Sequence, residues 1–496
     1  MRFLLTAYRH FLLVPFLFIL LCGCGVLPHL SNAAVQTIQI KNTVDLKGRT
    51  WNIPKGVSLY FHEGSSITNG ILVLNDTELS GFPYITCSVK GSISNRDLYV
   101  DWFVDKSLAS LHENNVYSLL NGHRLIFSNK EYTTRVRRMS PSYPIRVDNM
   151  EIEGNGARVT VSDTANVIGT IFCFYGCHNL TINNLVLDGC VALNAKTPPD
   201  GRHNLNISHC ENVSINNVKS INAMGDGFYI NGGEHIVLDK CVAENNGRQG
   251  CSIISGKDII IRNSSFIHTC RNAPMAGIDI EPNDAYTTGL SVVIDSCYFQ
   301  DNVSVGIGIN VGNRAQKDKV GQYKKITISN CTFNGNGYHI MCAARENAGL
   351  GQILVTNCTM EKSRFCSIDV NSYSAKNTPH INMNNIRIHN SNLSNGKDYR
   401  EHRSVIAVHN VSSISVDGPI GNIEFADIEI VQDQIYKDYI DRGILFYPNE
   451  KGGYKNVSLG DIRVDLGKPE GNYVRKIQSF AVPPEELIIM DKAKSY

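Results

Sequence analysis

Residues 225–284 read GDGFYINGGEHIVLDKCVAENNGRQGCSIISGKDIIIRNSSFIHTCRNAPMAGIDIEPND, and this stretch decides the fold. Gly227, Gly250 and Gly277 each open a short run in which residues alternate. Side chains of a strand point to opposite faces in turn. Phe228, Ile230, Cys251, Ile253, Ile278 and Ile280 therefore share one face, and Tyr229, Asn231, Ser252, Ile254, Asp279 and Glu281 share the other. Two carboxylates stand together on a surface built by stacking.

Outward from this stretch, an apolar-x-apolar-x-(Asn/Asp/Ser)-apolar pattern recurs with its central apolar residue at Ile182, Ile215, Leu238, Ile261, Ile294, Ile328, Val355, Met383, Phe425 and Leu459. The shortest spacing, between Ile215, Leu238 and Ile261, is 23 residues. A unit of that size that accepts insertions at fixed places fits a solenoid whose turns stack on one another. No helical apolar period interrupts the short strands. The expected fold is all-β, a right-handed single-stranded parallel β-helix with a β-rich N-terminal cap. Two positions after each central residue stand Asn184, Asn217, Lys240, Asn263, Ser296, Asn330, Asn357, Asn385, Asp427 and Asp461. Asn and Asp tolerate left-handed backbone and bond their own turns, so this column is expected to make corners.

The expected organisation is a signal at 1–24, a β-rich cap region at 25–145, the β-helix at 146–470 and a tail at 471–496. Arg2 and Arg9 precede an apolar run, Phe11 to Leu21, that is too short for a stable bilayer span and reads as an export signal. Leu21-Cys22-Gly23-Cys24 resembles the bacterial lipoprotein motif, which implies lipidation at Cys24 and a chain tethered to the membrane only through that lipid. Cleavage after Ala33 is the other reading, giving a periplasmic or secreted protein.

Forty-seven Lys and Arg nearly balance 46 Asp and Glu, so affinity for an anionic partner must be local. No basic stripe with interleaved aromatics supports nucleic-acid binding. Among the 15 cysteines, Cys241, Cys297, Cys331 and Cys358 follow the corner position and are expected as buried free thiols.

Stacking the strands in register gives an outward column of Tyr229, Ser252, Asp279, Gly308, His339 and Asp369. A second column reads Asn231, Ile254, Glu281, Asn310, Met341 and Asn371. Small neighbours around an acid pair make a floor for a sugar chain, and Arg248, Arg271, Arg314 and Arg345 are placed at its rims. An acidic polysaccharide would meet carboxylates beside cations there. Candidate catalytic residues are Asp279, Glu281, Arg248, Arg271 and His339, and candidate substrate contacts are Tyr229, Asn231, Asp226, Asn310, Arg314 and Arg345. A calcium ion held by Asp279, Glu281 and Asn283 is a further expectation, because hard cations take oxygen ligands.

The segment from Asn149 to Leu466 resembles the pectate-lyase-like right-handed β-helix superfamily, and GSSITNGILVLNDTEL with the stretch from Trp102 to Tyr132 resembles its N-terminal regions. That resemblance implies an exported, polysaccharide-active protein. Asp279 and Glu281 match the alternating acids of the chondroitinase B family, although no lysine follows before Leu290. Polygalacturonase-type adjacent aspartates with a Gly-His-Gly turn are absent, and Glu281-Pro282-Asn283 stands where alginate epimerases carry Asp-Pro-His. The leading expectation is a lyase that cleaves a uronate-containing polysaccharide by β-elimination, with His339 or an arginine as base. A glycoside hydrolase using Asp279 and Glu281, or a glycan-binding solenoid, are the alternatives.

Overall fold

The computed structural model describes residues 36–134, 144–162, 170–190, 203–282, 289–311, 323–394, 403–410, 416, 418–447 and 453–467, and the backbone of 477–479 and 487–489. Cys24, Asn283 and Arg314 lie outside these residues. No helix among the described residues is long and apolar enough to cross a membrane. The chain forms two compact units, Met1–Arg124 and Leu125–Tyr496.

The first unit is coiled on a small scale. Strand Gln36–Ile40 pairs in parallel with Val57–Phe61, which pairs with Leu79–Gly81, so that Ile38, Leu59 and Leu79 follow one another. Thr50–Asn52, Ile71–Thr77 and Ser88–Ile93 make a second parallel face.

The second unit is a long parallel coil, and eight of its strands carry the site. They are β1 (Leu205–Asn216), β2 (Phe228–Asp239), β3 (Gln249–Arg262), β4 (Ala276–Ile280), β5 (Val305–Val311), β6 (Tyr338–Ala344), β7 (Ile368–Tyr373) and β8 (Ser404–His409). Each pairs in parallel with the next. Parallel strands require a crossover between them, and here the crossover is the rest of each coil.

On a neighbouring face, all ten central apolar residues of the repeat fall into one unbroken column. Ile182 pairs with Ile215, then Leu238, Ile261, Ile294, Ile328, Val355, Met383, Phe425 and Leu459. All are buried. Each such side chain contributes roughly 1.5–3 kcal/mol by leaving water. The third face stacks Phe266 on Phe299 and Phe299 on Phe333, with ring centroids 5.5 and 4.8 Å apart.

The corners form as the residue types require. Nine of the ten corner positions, all but Asp461, have left-handed backbone with φ from 49° to 55°. Their side chains link coil to coil: the Asn217 amide donates to Asn184 at 2.8 Å, and Asn385 donates to Asn357 at 2.8 Å. Behind the corners, Cys241, Cys297, Cys331 and Cys358 are buried free thiols. Burial pushes the Cys241 thiol up to about 12, which keeps it protonated and inert.

Candidate functional site

The site begins with the outward face of β1 to β8. Inward Phe228, Cys251, Ile278, Ile307, Ile340 and Ile368 stack directly. Their neighbours must then point out: Tyr229, Ser252, Asp279, Gly308, Met341 and Asp369 follow in register. Successive rungs are about 4.8 Å apart. A cavity of about 540 Å³ opens over this floor, and its lining includes Asp279, Glu281, Asn310, Met341, Arg345 and Asn371.

His339 is not in that column. It stands opposite Gly306, whose added Cβ would meet the His339 carbonyl, and it is fully buried against Phe333. His339 fills the strand-opening position that Gly306 holds on the preceding rung, so counting from Gly337 slips the register by two residues, and at this corner the side chain turns in against Phe333. Met341 takes the place expected for His339. Burial pushes the His339 imidazole down to about 3. A ring that stays neutral inside the coil cannot serve as a base in the groove. Ile254 is displaced too, because β3 bulges there and Asn231 pairs with Ser255.

Asp279 is 7% exposed. Its Oδ2 accepts a hydrogen bond from the Gln249 side-chain amide. The amide's orientation is fixed from its other end, where Gln249 Oε1 accepts from Arg248 Nη1 at 3.0 Å. The other carboxylate oxygen, Oδ1, faces Gly308, where an added Cβ would sit 3.2 Å away. Burial first, and then the negative charge of Glu281, push the Asp279 carboxyl up to about 7, against a smaller opposing pull from Arg248. Glu281, half-buried in the same cavity, is anchored by its backbone nitrogen to the Ile253 carbonyl at 3.1 Å.

Behind the acid pair lies a buried polar cluster. Asp226 is fully buried, receives Arg248 Nη1 at 3.2 Å and the Ser252 hydroxyl at 2.8 Å, and lies 3.2 Å from His203 Nδ1. A carboxylate so enclosed cannot touch a sugar, which corrects its expected role as a substrate contact. Arg248 is turned toward Asp226 and Gln249, so its first task is to support the cluster. Tyr229 is half-buried and stacks on His203 with centroids 4.3 Å apart. Asn231 accepts from the Ser255 hydroxyl at 3.3 Å. Arg271 sits in the turn before β4, outside the cavity lining, whereas Arg345 and Asn310 are in it.

His203 and Gln249 were not expected from sequence. Together with Asp226 they occupy one position, two residues before the inward Leu205, Phe228 and Cys251. Aligning the residues ahead of each strand would have exposed this polar column.

The Gln249 amide engages Asp279 Oδ2 while Oδ1 faces the space over Gly308, so among the described residues Oδ1 and the Glu281 carboxylate are what a hard cation would meet here. A second grouping, Glu234, His235 and Asp258, lies on the coil's edge. Its acids are engaged by Lys257 Nζ at 2.6 Å and by the Ser291 hydroxyl at 2.9 Å.

A family profile described as "Right handed beta helix region" matches residues 169–322, the part of the chain that contains Asp279 and Glu281. This chain is a right-handed parallel β-helix. Among solved structures, an exopolygalacturonase from Thermotoga maritima shares the fold at 12% identity over 74% of this chain and 92% of that one, with a TM-score of 0.51. An alginate lyase from Paenibacillus sp. aligns at 13% identity over 74% and 99%, with a TM-score of 0.36. The surface adhesin PfbA of Streptococcus pneumoniae aligns at 12% identity over 82% and 84%, with a TM-score of 0.42. No curated protein matches by sequence. The right-handed parallel β-helix is thus this chain's fold, and such folds host unrelated activities, so function must come from the site.

Proposed function

We propose that this β-helix is a glycoside hydrolase acting on a uronate-containing polysaccharide, with Asp279 as general acid and Glu281 as general base. The observation that carries the reading is the inequality of the two carboxyls. Asp279 is enclosed and retains a proton up to about pH 7, while Glu281 stands more open in the same cavity. A buried carboxyl that keeps its proton, beside a more open carboxyl in the same cavity, suits the general-acid role.

The hydrogen bond from Gln249 occupies Oδ2, which leaves Oδ1 to carry the proton. Gly308 leaves the space in front of that oxygen clear for a glycosidic oxygen. Alternate residues of one strand are about 6–7 Å apart, which suits a water between base and sugar and hence inversion at the anomeric carbon. Asp279 Oδ1 gives its proton to the departing oxygen, and Glu281 takes one from the attacking water.

β-Elimination is the second reading, and Arg345 favours it, because a guanidinium in the cavity would neutralise a uronate carboxylate. It ranks lower, because of its candidate bases His339 is interior, Arg248 is turned toward Asp226 and Gln249, and Arg271 lies outside the cavity lining. Purified protein given polygalacturonate, alginate, chondroitin or hyaluronan should generate reducing ends without ultraviolet gain. Ultraviolet gain from a new double bond would establish elimination instead, and binding with neither product would leave a glycan-binding solenoid. Repeating the assay with a chelator tests the calcium expectation: an ion held by Asp279, Glu281 and Asn283 would make activity fall on chelation and return on adding calcium.

Export with a lipid at Cys24 belongs to the same proposal. Metabolic labelling with palmitate, lost in Cys24→Ala, would support it; label retained in that variant would refute it.

A further inference from the structure

The floor of the groove is open over only part of its length. Just past β4 and on β5 and β6, the outward residues Glu281, Asn310, Met341 and Ala343 are half-buried and reachable. On β7 and β8 the same columns continue with Asp369, Asn371, Ala407 and His409, and all four are buried. Asp369 is 0% and His409 2% exposed, and His409 Nε2 lies 2.6 Å from Asp369 Oδ1, tying the two rungs together. The trough therefore stops at β7. At the other end the buried Asp226, Gln249 and Ser252 stand against Asp279. Three rungs remain, about 14 Å at 4.8 Å each, which is room for roughly two or three sugar rings.

A polymer crossing the acid pair along the coil axis would run into the β7 wall. A chain that enters with its end leading would not. Its last rings would rest on Gly308, Met341 and Ala343, with the rest rising out of the cavity beside Asp279 and Glu281. Arg345 follows β6 directly and lines the closed half of the cavity with Asn371. It lies about two rungs beyond Asp279, against a lining that is otherwise largely apolar or neutral.

Resting on the hydrolase reading above, we infer that the cavity takes the end of an acidic polysaccharide chain, and that Arg345 pairs with a carboxylate of the terminal rings. Cleavage then releases short fragments from chain ends rather than cutting the interior.

The test separates binding from cleavage by using Asp279→Asn, which retains the cavity. Calorimetric titrations with polygalacturonate, alginate and hyaluronan are run with each polymer intact and after partial hydrolysis to short oligomers. Binding per gram of at least one polymer should rise in proportion to the number of ends, and Arg345→Gln in the same background should weaken it about tenfold or more. Arg345→Lys should retain part of it, with circular dichroism confirming that both variants are folded. Equal binding per gram of intact and shortened polymer would overturn end recognition. No binding to any of the three would overturn the acidic-glycan assignment, and unchanged affinity in Arg345→Gln would remove that residue's role. If the Asp279→Asn chain binds ends and the parent releases no product, the hydrolase reading falls and end recognition stands.

Discussion

Asp279 and Asp369 occupy the same outward column three rungs apart, yet they live in different surroundings. Asp279 borders a cavity, with one oxygen held by Gln249 and the other facing the gap over Gly308. Asp369 is sealed against His409. Register decides which way a side chain points, and the segments joining the rungs decide whether that direction leads to solvent. The same residue type at equivalent positions is thereby a candidate acid in one rung and part of a wall in the other.

The largest effect expected to test this contrast is on cleavage. Asp279→Asn should lower turnover by about 10²–10⁴-fold, the usual weight of a positioned acid, while far-ultraviolet circular dichroism stays unchanged. Retention of full activity would remove Asp279 from the site. Gly308→Ala should come next: a methyl 3.2 Å from Asp279 Oδ1 would displace the bond to be cut, with losses up to about a hundredfold in kcat/KM.

Asp369→Asn should act on folding instead. It alters a buried hydrogen bond to His409, and denaturant titration should show a loss of about 1–3 kcal/mol.

The pH dependence sharpens the same contrast. Asp279 keeps its proton in the folded chain up to about pH 7, whereas an unfolded aspartate loses it near ~3.9. Between these values the folded state binds more protons, so stability falls as pH rises through that window and the penalty is complete above it. Asp279→Asn should therefore melt higher than the parent at pH 8, and that advantage should vanish near pH 4. Cleavage should decline as pH rises through about 7. The smallest effect belongs to His339→Gln, which should leave turnover per folded molecule unchanged while lowering the melting temperature.

Much of the fold was legible because a stacked coil repeats its physics. The column from Ile182 to Leu459 and the left-handed corners from Asn184 to Asp427 could be read directly, since each position has one demand, apolar inside or amide at a turn. The acid pair was legible for the same reason, as alternation about Ile278 and Ile280 places Asp279 and Glu281 together on the outward face. His339 was misread because a glycine two residues away imitated the strand opening. Asp226 was misread because alternation says nothing of what lies on top. Gln249 and His203 act through contacts between coils, and these contacts appear only once the coils are aligned position by position.

The amide-linked corners have one more consequence. Since each coil locks onto the next at the same points, adding or removing a whole coil would leave every face in phase. The distance between the acid pair and the wall at β7 could then change only in steps of about 4.8 Å. Fragment length would be counted in coils, a quantity that evolution could edit by duplication without redesigning the chemistry.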